Sequence, residues 1–197
     1  VLALQGAFIE HEKTLRGLGA NPVEVRLPQQ LDHLDALIIP GGESTTIGKL
    51  AVAFDLLEPL RAFAAEKPTW GTCAGMIMLA KDIGRSQPLL GVMDIAVNRN
   101  AFGRQVDSFE QDLVIPDLGE QPFHAVFIRA PLVIDVKNDA RVLARLEDGG
   151  IVAVRQGHLL ATAFHPELTP DDRFHRYFLR EVAGLPVTSP DGGDAGA

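Results

Sequence analysis

Short aliphatic runs alternate with stretches of helical periodicity along the first 84 residues, and this alternation restricts the fold more than any other feature of the sequence. Strand-like runs are predicted at about residues 1–4, 23–27, 36–39 and 69–72. Helices are predicted between them, over 10–18 and 54–66, where apolar side chains recur at helical spacing. Such alternation is typical of a parallel sheet covered by helices on both faces.

The second half of the chain is richer in strands. After Gly84, strand-like runs at 93–98, 112–115, 125–129, 141–147, 151–155 and 159–164 follow one another with only turns between them. The segments 148–150 and 156–157 contain the glycines typical of hairpin turns, and a last helix is predicted over 170–183. The predicted fold class is therefore α/β with three layers: a mixed, mostly parallel central sheet, helices on both faces, and antiparallel additions.

Length and C-terminal composition predict one domain. With 197 residues the chain is short for two well-buried cores, so we expect a single domain over 1–185. Residues 186–197 are small and polar without apolar periodicity, which predicts a disordered tail. Because the chain opens at Val1 inside an apolar run, we also expect that a start Met preceded it.

The charge balance excludes several classes of partner. There are 26 Asp and Glu against 18 Lys and Arg, a formal net charge of -8, so the surface repels phosphate backbones and anionic lipids. Neither nucleic acid nor a membrane is expected, and no secretory signal is visible, which favours the cytoplasm. The single cysteine, Cys73, excludes an intrachain disulfide and a cysteine-rich zinc site.

The strongest local motif is Gly71-Thr72-Cys73-Ala74-Gly75, where a strand-like stretch gives way to a helical one. It is the cysteine version of a nucleophile elbow. At a helix N-terminus the sulfur lies near unpaired N–H groups, which favour the thiolate, the attacking species. The N–H of Ala74 would face a developing oxyanion. The alternative is a buried structural cysteine; the two flanking glycines favour the nucleophile.

A second motif, His165-Pro166-Glu167, supplies a candidate acid and base. The proline disfavours helix at His165 and holds it extended at the end of a strand-like run. In an extended chain the side chains of residues 165 and 167 leave on the same side, so Glu167 is placed to hold one tautomer of the imidazole. The alternative is a surface turn without chemistry; pairing with the elbow favours a triad.

The loop that follows the strand-like run at 36–39 is rich in glycine. Gly42 in this loop is a candidate second oxyanion donor, because loops at the carboxyl ends of parallel strands meet in one crevice. A phosphate-binding loop is excluded: five residues instead of four separate Gly42 from Gly48, and Leu50 stands where a Ser or Thr is needed. Arg99 and Arg129 end apolar runs and either bind a substrate carboxylate or are solvated.

These motifs lead to a known family: the chain resembles the class I (triad) glutamine amidotransferases, and among them the glutaminase subunits of pyridoxal 5'-phosphate synthases. The similar segments are LQGA at 4–7, PGGESTT at 40–46, GTCAG at 71–75, RNAFGRQVDSF at 99–109, FIRAP at 127–131 and FHPEL at 164–168. The elbow and the His-Pro-Glu motif indicate only the wider class. The segments at 40–46, 99–109 and 127–131 indicate the vitamin B6 branch.

The resemblance implies hydrolysis of L-glutamine to glutamate and ammonia, without a metal or a bound cofactor. It implies that Cys73 is the nucleophile, His165 the general base and acid, and Glu167 the residue that orients His165. Gly42 and Ala74 would form the oxyanion hole. The residues implied to line the glutamine site are Gly42, Glu43, Ser44, Arg99, Ile128 and Arg129.

The resemblance also implies a partner. Ammonia would pass through a tunnel to a synthase subunit that makes pyridoxal 5'-phosphate, in an assembly of 12 synthase and 12 glutaminase subunits, and docking would switch the glutaminase on. Two alternatives stay open: a free-standing cysteine amidase, such as a peptidase or γ-glutamyl hydrolase, and a catalytically silent regulatory subunit. Ammonia release that does not depend on the partner would favour the first alternative. A Cys73 that a glutamine-like electrophile does not label would favour the second.

Overall fold

An eight-stranded mixed sheet organises the molecule, as seen in a computed structural model that describes residues 1–99 and 108–188. The strands are β1 (Leu37–Ile39), β2 (Thr69–Thr72), β3 (Ala80–Asp82), β4 (Met93–Asn98), β5 (Ser108–Leu113), β6 (Phe123–Ile128), β7 (Leu132–Val136), β8 (Arg141–Arg145), β9 (Ile151–Gln156) and β10 (Leu159–Thr162). The helices are α1 (Phe8–Gly17), α2 (Ser44–Ala53), α3 (Leu57–Glu66), α4 (Ala74–Leu79) and α5 (Arg173–Tyr177). A wide π-helical turn, Phe178–Val182, continues α5.

The sheet combines a parallel and an antiparallel part. Its order is β1-β2-β10-β9-β7-β4-β3, with β8 paired to β9. The pairs β1-β2, β2-β10 and β3-β4 are parallel, whereas β9 runs antiparallel to β10, β7 and β8. Strands β5 and β6 form a separate antiparallel hairpin. The predicted α/β class with a mixed sheet is confirmed, and so are the hairpins at 148–150 and 156–157.

The parallel part places the carboxyl ends of β1, β2 and β10 side by side. Ile39 pairs with Gly71, and Thr72 pairs with Thr162. The residues that follow these three strands are the glycine loop, Cys73 and the segment that leads to His165. The three sequence motifs therefore meet at one edge of the sheet, as expected for loops at the carboxyl ends of neighbouring parallel strands.

An aromatic core supports this edge. Trp70 on β2 is fully buried, packs against Phe174 and Phe178, and donates through Nε1 to Thr162 Oγ1 at 3.1 Å. Phe164, which directly precedes His165, packs against Phe174 with ring centroids 5.2 Å apart. Burying each of these large side chains contributes on the order of 2–3 kcal/mol. Helix α5 and the π-helical turn therefore pack against the strands that carry the site and stabilise them.

Several predicted elements need correction. Residues 1–4 and 23–27 do not form strands; a single parallel bridge joins Leu2 to Val25. The pairing ends early because the chain turns away at Gly6, whose φ of +106° requires glycine. Helix α3 begins three residues later than predicted because Asp55 takes a left-handed φ of +55°. The predicted strands at 112–115 and 125–129 begin and end earlier, as β5 and β6, and the sequence did not reveal β3 or β7.

The start of the predicted tail is attached to the body of the protein. The Thr188 N–H donates to Leu18 O at 3.1 Å, and Val187 packs partly against the core. Residues 187 and 188 thus make contacts with the body of the protein, although they belong to the segment for which the sequence predicts disorder. The rest of the tail, 189–197, and most of the sequence motif at 99–109 lie outside the described residues.

Candidate active site

Cys73 occupies a sharp bend between β2 and α4. Its φ of +48° and ψ of -103° are unusual for a residue with a side chain and cost on the order of 1–3 kcal/mol. The bend is fixed by a hydrogen bond from the Cys73 N–H to Thr162 O at 2.8 Å. The side chain is largely buried, and Sγ lies 3.8 Å from the carbonyl oxygen of Ile128. Strain stored at a cysteine on such a bend is typical of a nucleophile.

The two glycines of the motif are required by close backbone contacts. A Cβ on Gly71 would overlap the backbone of Gly75, and a Cβ on Gly75 would overlap the carbonyl of Ile39 on β1. Neither glycine has a left-handed φ, so the requirement is steric and not conformational. Small residues at these two positions let the chain reverse direction tightly enough to place Cys73 on the bend at the end of β2.

His165 is positioned by the chain after β10 and by the neighbouring hairpin. Its N–H donates to Val126 O on β6 at 2.8 Å. Pro166 then begins a short 3-10 turn, Pro166–Leu168, that brings Glu167 back beside the imidazole. Nδ1 of His165 lies 2.7 Å from Oε1 of Glu167, and both residues are buried. This leaves Nε2 as the ring nitrogen available to Cys73.

The electrostatics of His165 reflect both neighbours. Burial alone would lower its pKa, but side-chain hydrogen bonds with Cys73 and Glu167, together with their negative charge, outweigh burial and raise the pKa to about 10. The imidazole is therefore protonated at neutral pH. A cation held beside a cysteine holds a proton that it can give to a leaving group.

The two predicted oxyanion donors lie on opposite sides of Cys73 in the chain. Ala74 is the first residue of α4, so its N–H has no carbonyl partner within the helix. Gly42 lies in the exposed loop after β1, and a Cβ there would overlap Oε1 of Gln5. The same Gln5 oxygen accepts the N–H of Glu43 at 2.7 Å, so the Gln5 side chain helps to fix this loop.

Glu43, Ser44 and Arg99 form a connected polar group at the start of α2. Glu43 caps this helix by accepting the N–H groups of Thr45 and Thr46. Its slight burial would raise its pKa, but the hydrogen bond from the Thr46 hydroxyl, together with those from the Thr45 and Thr46 N–H groups, outweighs burial and lowers the pKa to about 2. The Arg99 guanidinium donates to Glu43 Oε1 at 2.9 Å, so Arg99 is engaged by a protein carboxylate in this structure.

Ser44 and the segment at 128–129 complete the predicted substrate residues. Ser44 is buried, and its hydroxyl accepts from Gln87 at 3.3 Å. Ile128 ends β6, with its side chain 40% exposed and its carbonyl oxygen directed toward Cys73. Arg129 follows with a left-handed φ of +45°. The structure thus places Ile128 next to the nucleophile, whereas Ser44 contributes to the polar group at the start of α2.

Sequence reasoning missed two features. Gly41 faces the imidazole so closely that a Cβ would overlap the His165 ring. The glycine pair is visible in the sequence, but the sequence argument singles out only Gly42. His11 and His175 lie fully buried behind the triad. The only signal for His11 was its spacing of four from Leu15, which places both on the buried face of α1.

The described part of the chain contains neither a metal-binding cluster nor a membrane-spanning helix. Within residues 1–99 and 108–188, no group of three or more His, Cys, Asp or Glu side chains is arranged to hold a metal ion. Over the same residues, no helix combines the length and the hydropathy required to cross a bilayer.

Comparison with known proteins agrees with this geometry. Residues 1–184 match the SNO glutamine amidotransferase family. The chain is 66% identical to pyridoxal 5'-phosphate synthase subunit PdxT of Herpetosiphon aurantiacus, over 91% of this chain and 97% of that protein. It is 61% identical to the PdxT subunit of Moorella thermoacetica, over 92% and 97% of the two chains.

Solved structures give the same result. A crystal structure of a glutamine amidotransferase superposes with a TM-score of 0.87 at 52% identity, covering 93% of this chain and 97% of the other. PurLQS of Thermotoga maritima superposes with a TM-score of 0.65 over 92% of this chain and 95% of the other, but at 18% identity it shows the fold alone. The family expected from the sequence motifs is confirmed: the chain belongs to the SNO glutamine amidotransferase family.

Proposed function

We propose that this chain hydrolyses L-glutamine to glutamate and ammonia through a triad of Cys73, His165 and Glu167. The observation that carries the proposal is the continuous contact from the strained Cys73 through the imidazole to the Glu167 carboxylate. A nucleophile, a proton carrier and an orienting carboxylate in this order are the parts that acyl transfer requires. The proposed domain spans 1–185.

The chemistry follows from the positions of these groups. The Cys73 sulfur attacks the side-chain amide carbon, and the oxygen that becomes negative is stabilised by the N–H groups of Ala74 and Gly42. His165 gives its proton to the amide nitrogen as the C–N bond breaks, so ammonia leaves and a thioester remains. Water then attacks the thioester while His165 takes a proton from it. Glutamate is released and the thiolate is restored.

The proposed glutamine site lies between α2 and the end of β6. In this proposal Glu43, Ser44 and Arg99 supply charged and hydroxyl groups, and Ile128, whose carbonyl oxygen lies 3.8 Å from Cys73 Sγ, borders the site together with Arg129. Glutamine carries an α-amino and an α-carboxylate group, so a site with both signs of charge suits it. Because Arg99 is bound to Glu43, we expect the pair to rearrange when a substrate carboxylate binds.

The proposed partner is a pyridoxal 5'-phosphate synthase subunit, since the relatives at 61–66% identity are named as subunits of that synthase. In this proposal, ammonia passes to the partner through the protein, in a cytoplasmic assembly of 12 synthase and 12 glutaminase subunits.

The test is an ammonia-release assay with glutamine, run with and without the synthase subunit. We expect release that rises strongly when the synthase is added, and a loss of about 10⁴-fold or more in the Cys73→Ala protein. Turnover by Cys73→Ala with its partner present would refute the nucleophile. Equal release with and without the synthase would instead support a free-standing amidase.

Glu167→Gln tests the third member of the triad. The amide keeps the shape of the side chain but removes the charge that stabilises the imidazolium, so kcat should fall by at least about tenfold, and by less than in Cys73→Ala. Unchanged turnover in the same assay would remove Glu167 from the triad.

A further inference from the structure

Two histidines that the proposed mechanism does not use lie directly behind the triad carboxylate. His11 on α1 and His175 on α5 have no exposed surface. Burial is the largest of the causes that lower the pKa of His11 well below 6.5, and burial likewise lowers the pKa of His175 to about 4. Both rings are therefore neutral at physiological pH, and each carries one N–H and one bare nitrogen.

The contacts of His11 join it to the triad. Its Nε2 lies 3.4 Å from Oε2 of Glu167 and 3.2 Å from the hydroxyl oxygen of Thr72. Its Nδ1 lies 2.9 Å from Nε2 of His175. Oε1 of Glu167 is used by His165, whereas Oε2 is buried and makes no hydrogen bond of normal geometry in the described part of the chain. His11 is thus placed to serve the second carboxylate oxygen.

The charge on Glu167 decides which nitrogen of His11 carries the proton. If Nδ1 were protonated, the bare lone pair of Nε2 would face the carboxylate and could accept only from the Thr72 hydroxyl. His175 would then have to accept at Nε2 and carry its proton on Nδ1, which is buried without a partner among the described residues. If Nε2 is protonated, its N–H points to Thr72 Oγ1 and Glu167 Oε2, and His175 donates through its own Nε2 to His11 Nδ1. Only the second arrangement places every N–H of the pair on an acceptor.

We propose that His11 is a positioning residue of the triad: its Nε2–H holds Oε2 of Glu167, and His175 fixes the tautomer that makes this possible. This inference rests on the proposed function of Glu167. A neutral donor suits the task because it fixes the carboxylate without cancelling the charge that stabilises the His165 imidazolium. The 3.4 Å approach is long, as contacts in free active sites often are before substrate binds.

The tautomer can be measured without any activity. In ¹⁵N-labelled protein, nitrogen chemical shifts distinguish a protonated from a bare ring nitrogen, and His11→Gln provides the assignment. We expect His11 to be protonated at Nε2 and bare at Nδ1 near neutral pH. A proton on Nδ1, or a doubly protonated ring, would overturn the inference while leaving the Cys73 mechanism intact.

Steady-state kinetics test whether His11 positions the triad for catalysis. In the complex with the synthase, His11→Phe removes both nitrogens, so kcat should fall about tenfold with KM for glutamine unchanged, and the alkaline limb of the rate profile should move to lower pH. His11→Gln keeps a neutral N–H near Nε2 and should restore most of the rate. His158→Phe is the matched control, since His158 contacts Ala64 O at 3.0 Å, away from the triad.

The controls separate this inference from the proposed function. Equal thermal unfolding of His11→Phe and His11→Gln would show that both fold. A folded His11→Phe protein with the kcat and pH profile of the unsubstituted protein would overturn the positioning role. If Cys73→Ala retained turnover in the same assay, the proposed function itself would fail, whatever His11 does.

Discussion

Gly41 carries no chemistry, yet it sets how closely the loop after β1 approaches the imidazole. A methyl group at this position would overlap the His165 ring. We therefore expect Gly41→Ala to push the imidazole away from Cys73 and to lower kcat by about 10- to 100-fold while the fold is retained. Steady-state kinetics with the synthase present measure this.

The matched control is Gly17→Ala. Gly17 lies at the end of α1, and a Cβ there would meet nothing within 4 Å. This change should leave kcat unaltered and stabilise the fold by about 0.5–1 kcal/mol. If Gly41→Ala behaved like Gly17→Ala in the kinetic assay, the contact with His165 would not matter for catalysis.

The protonation of His165 gives a second test on a single residue. Burial lowers its pKa, but hydrogen bonds with Cys73 and Glu167 raise it to about 10, above its usual 6.5. A raised pKa of this kind contributes stability that is complete below about pH 6.5 and is lost as the pH rises through 10. Removing one partner should lower the pKa. We expect an NMR titration of His165 in Cys73→Ala to show a pKa clearly below 10; an unchanged value would show that the two side chains do not interact.

The residues of the site differ in how far the sequence reveals them. Cys73, His165 and Glu167 can be identified from the sequence because two short local motifs, the glycine-flanked elbow and His-Pro-Glu, contain them. The extended conformation predicted for His-Pro-Glu is wrong, since a 3-10 turn at Pro166–Leu168 brings Glu167 to the imidazole. His11 and Gly41 matter only through contacts with residues more than 100 positions away in the chain. Such contacts are decided by packing between elements, and no local pattern encodes them.

Among the elements, the turn from β2 into α4 is constrained by close backbone contacts. Gly75 in the first turn of α4 lies against the carbonyl of Ile39 on β1. Gly75→Ala should separate the helix from the sheet and destabilise the protein by about 1–3 kcal/mol or more. Chemical denaturation monitored by circular dichroism measures this, with Gly17→Ala as the stabilised reference. A Gly75→Ala protein as stable as the unsubstituted one would contradict the close packing described here.

Elements with a strong local signal were predicted best. Strand β2 has the predicted bounds because Pro68 precedes it and the bend at Cys73 ends it. The segments at 1–4 and 23–27 are richer in aliphatic residues, yet only Leu2 and Val25 form a bridge. Strand length here depends on where the neighbouring chain turns away, and that is a property of the assembled sheet. The final helix begins at Arg173 and widens into a π-helical turn, which periodicity alone does not indicate.

For the whole molecule, the buried histidines predict how stability depends on pH. The pKa of His175 is lowered to about 4, and that of His11 lies well below 6.5, both mainly because of burial. Unfolding exposes the two rings, which then bind protons below about pH 6.5. The folded protein therefore loses stability as the pH falls from about 6.5 toward 4, by up to about 1.4 kcal/mol per pH unit for each ring.

Urea denaturation at several pH values tests this. Between pH 6.5 and 4, the free energy of unfolding should change less steeply with pH in His175→Phe than in the unsubstituted protein, because one proton-binding ring is removed. Replacing the exposed His33 by Gln should leave the slope unchanged. Equal slopes in all three proteins would mean that the buried pair does not remain neutral in the fold.

The proposed mechanism requires that the sulfur of Cys73 attacks the glutamine amide. The most direct measurement is peptide mapping by mass spectrometry after the chain, docked to its synthase, has reacted with a glutamine-like electrophile such as 6-diazo-5-oxo-norleucine. We predict a single adduct on Cys73, formed more slowly when excess glutamine is present. An adduct on another residue, or no adduct in a complex that releases ammonia, would contradict the assignment of the nucleophile.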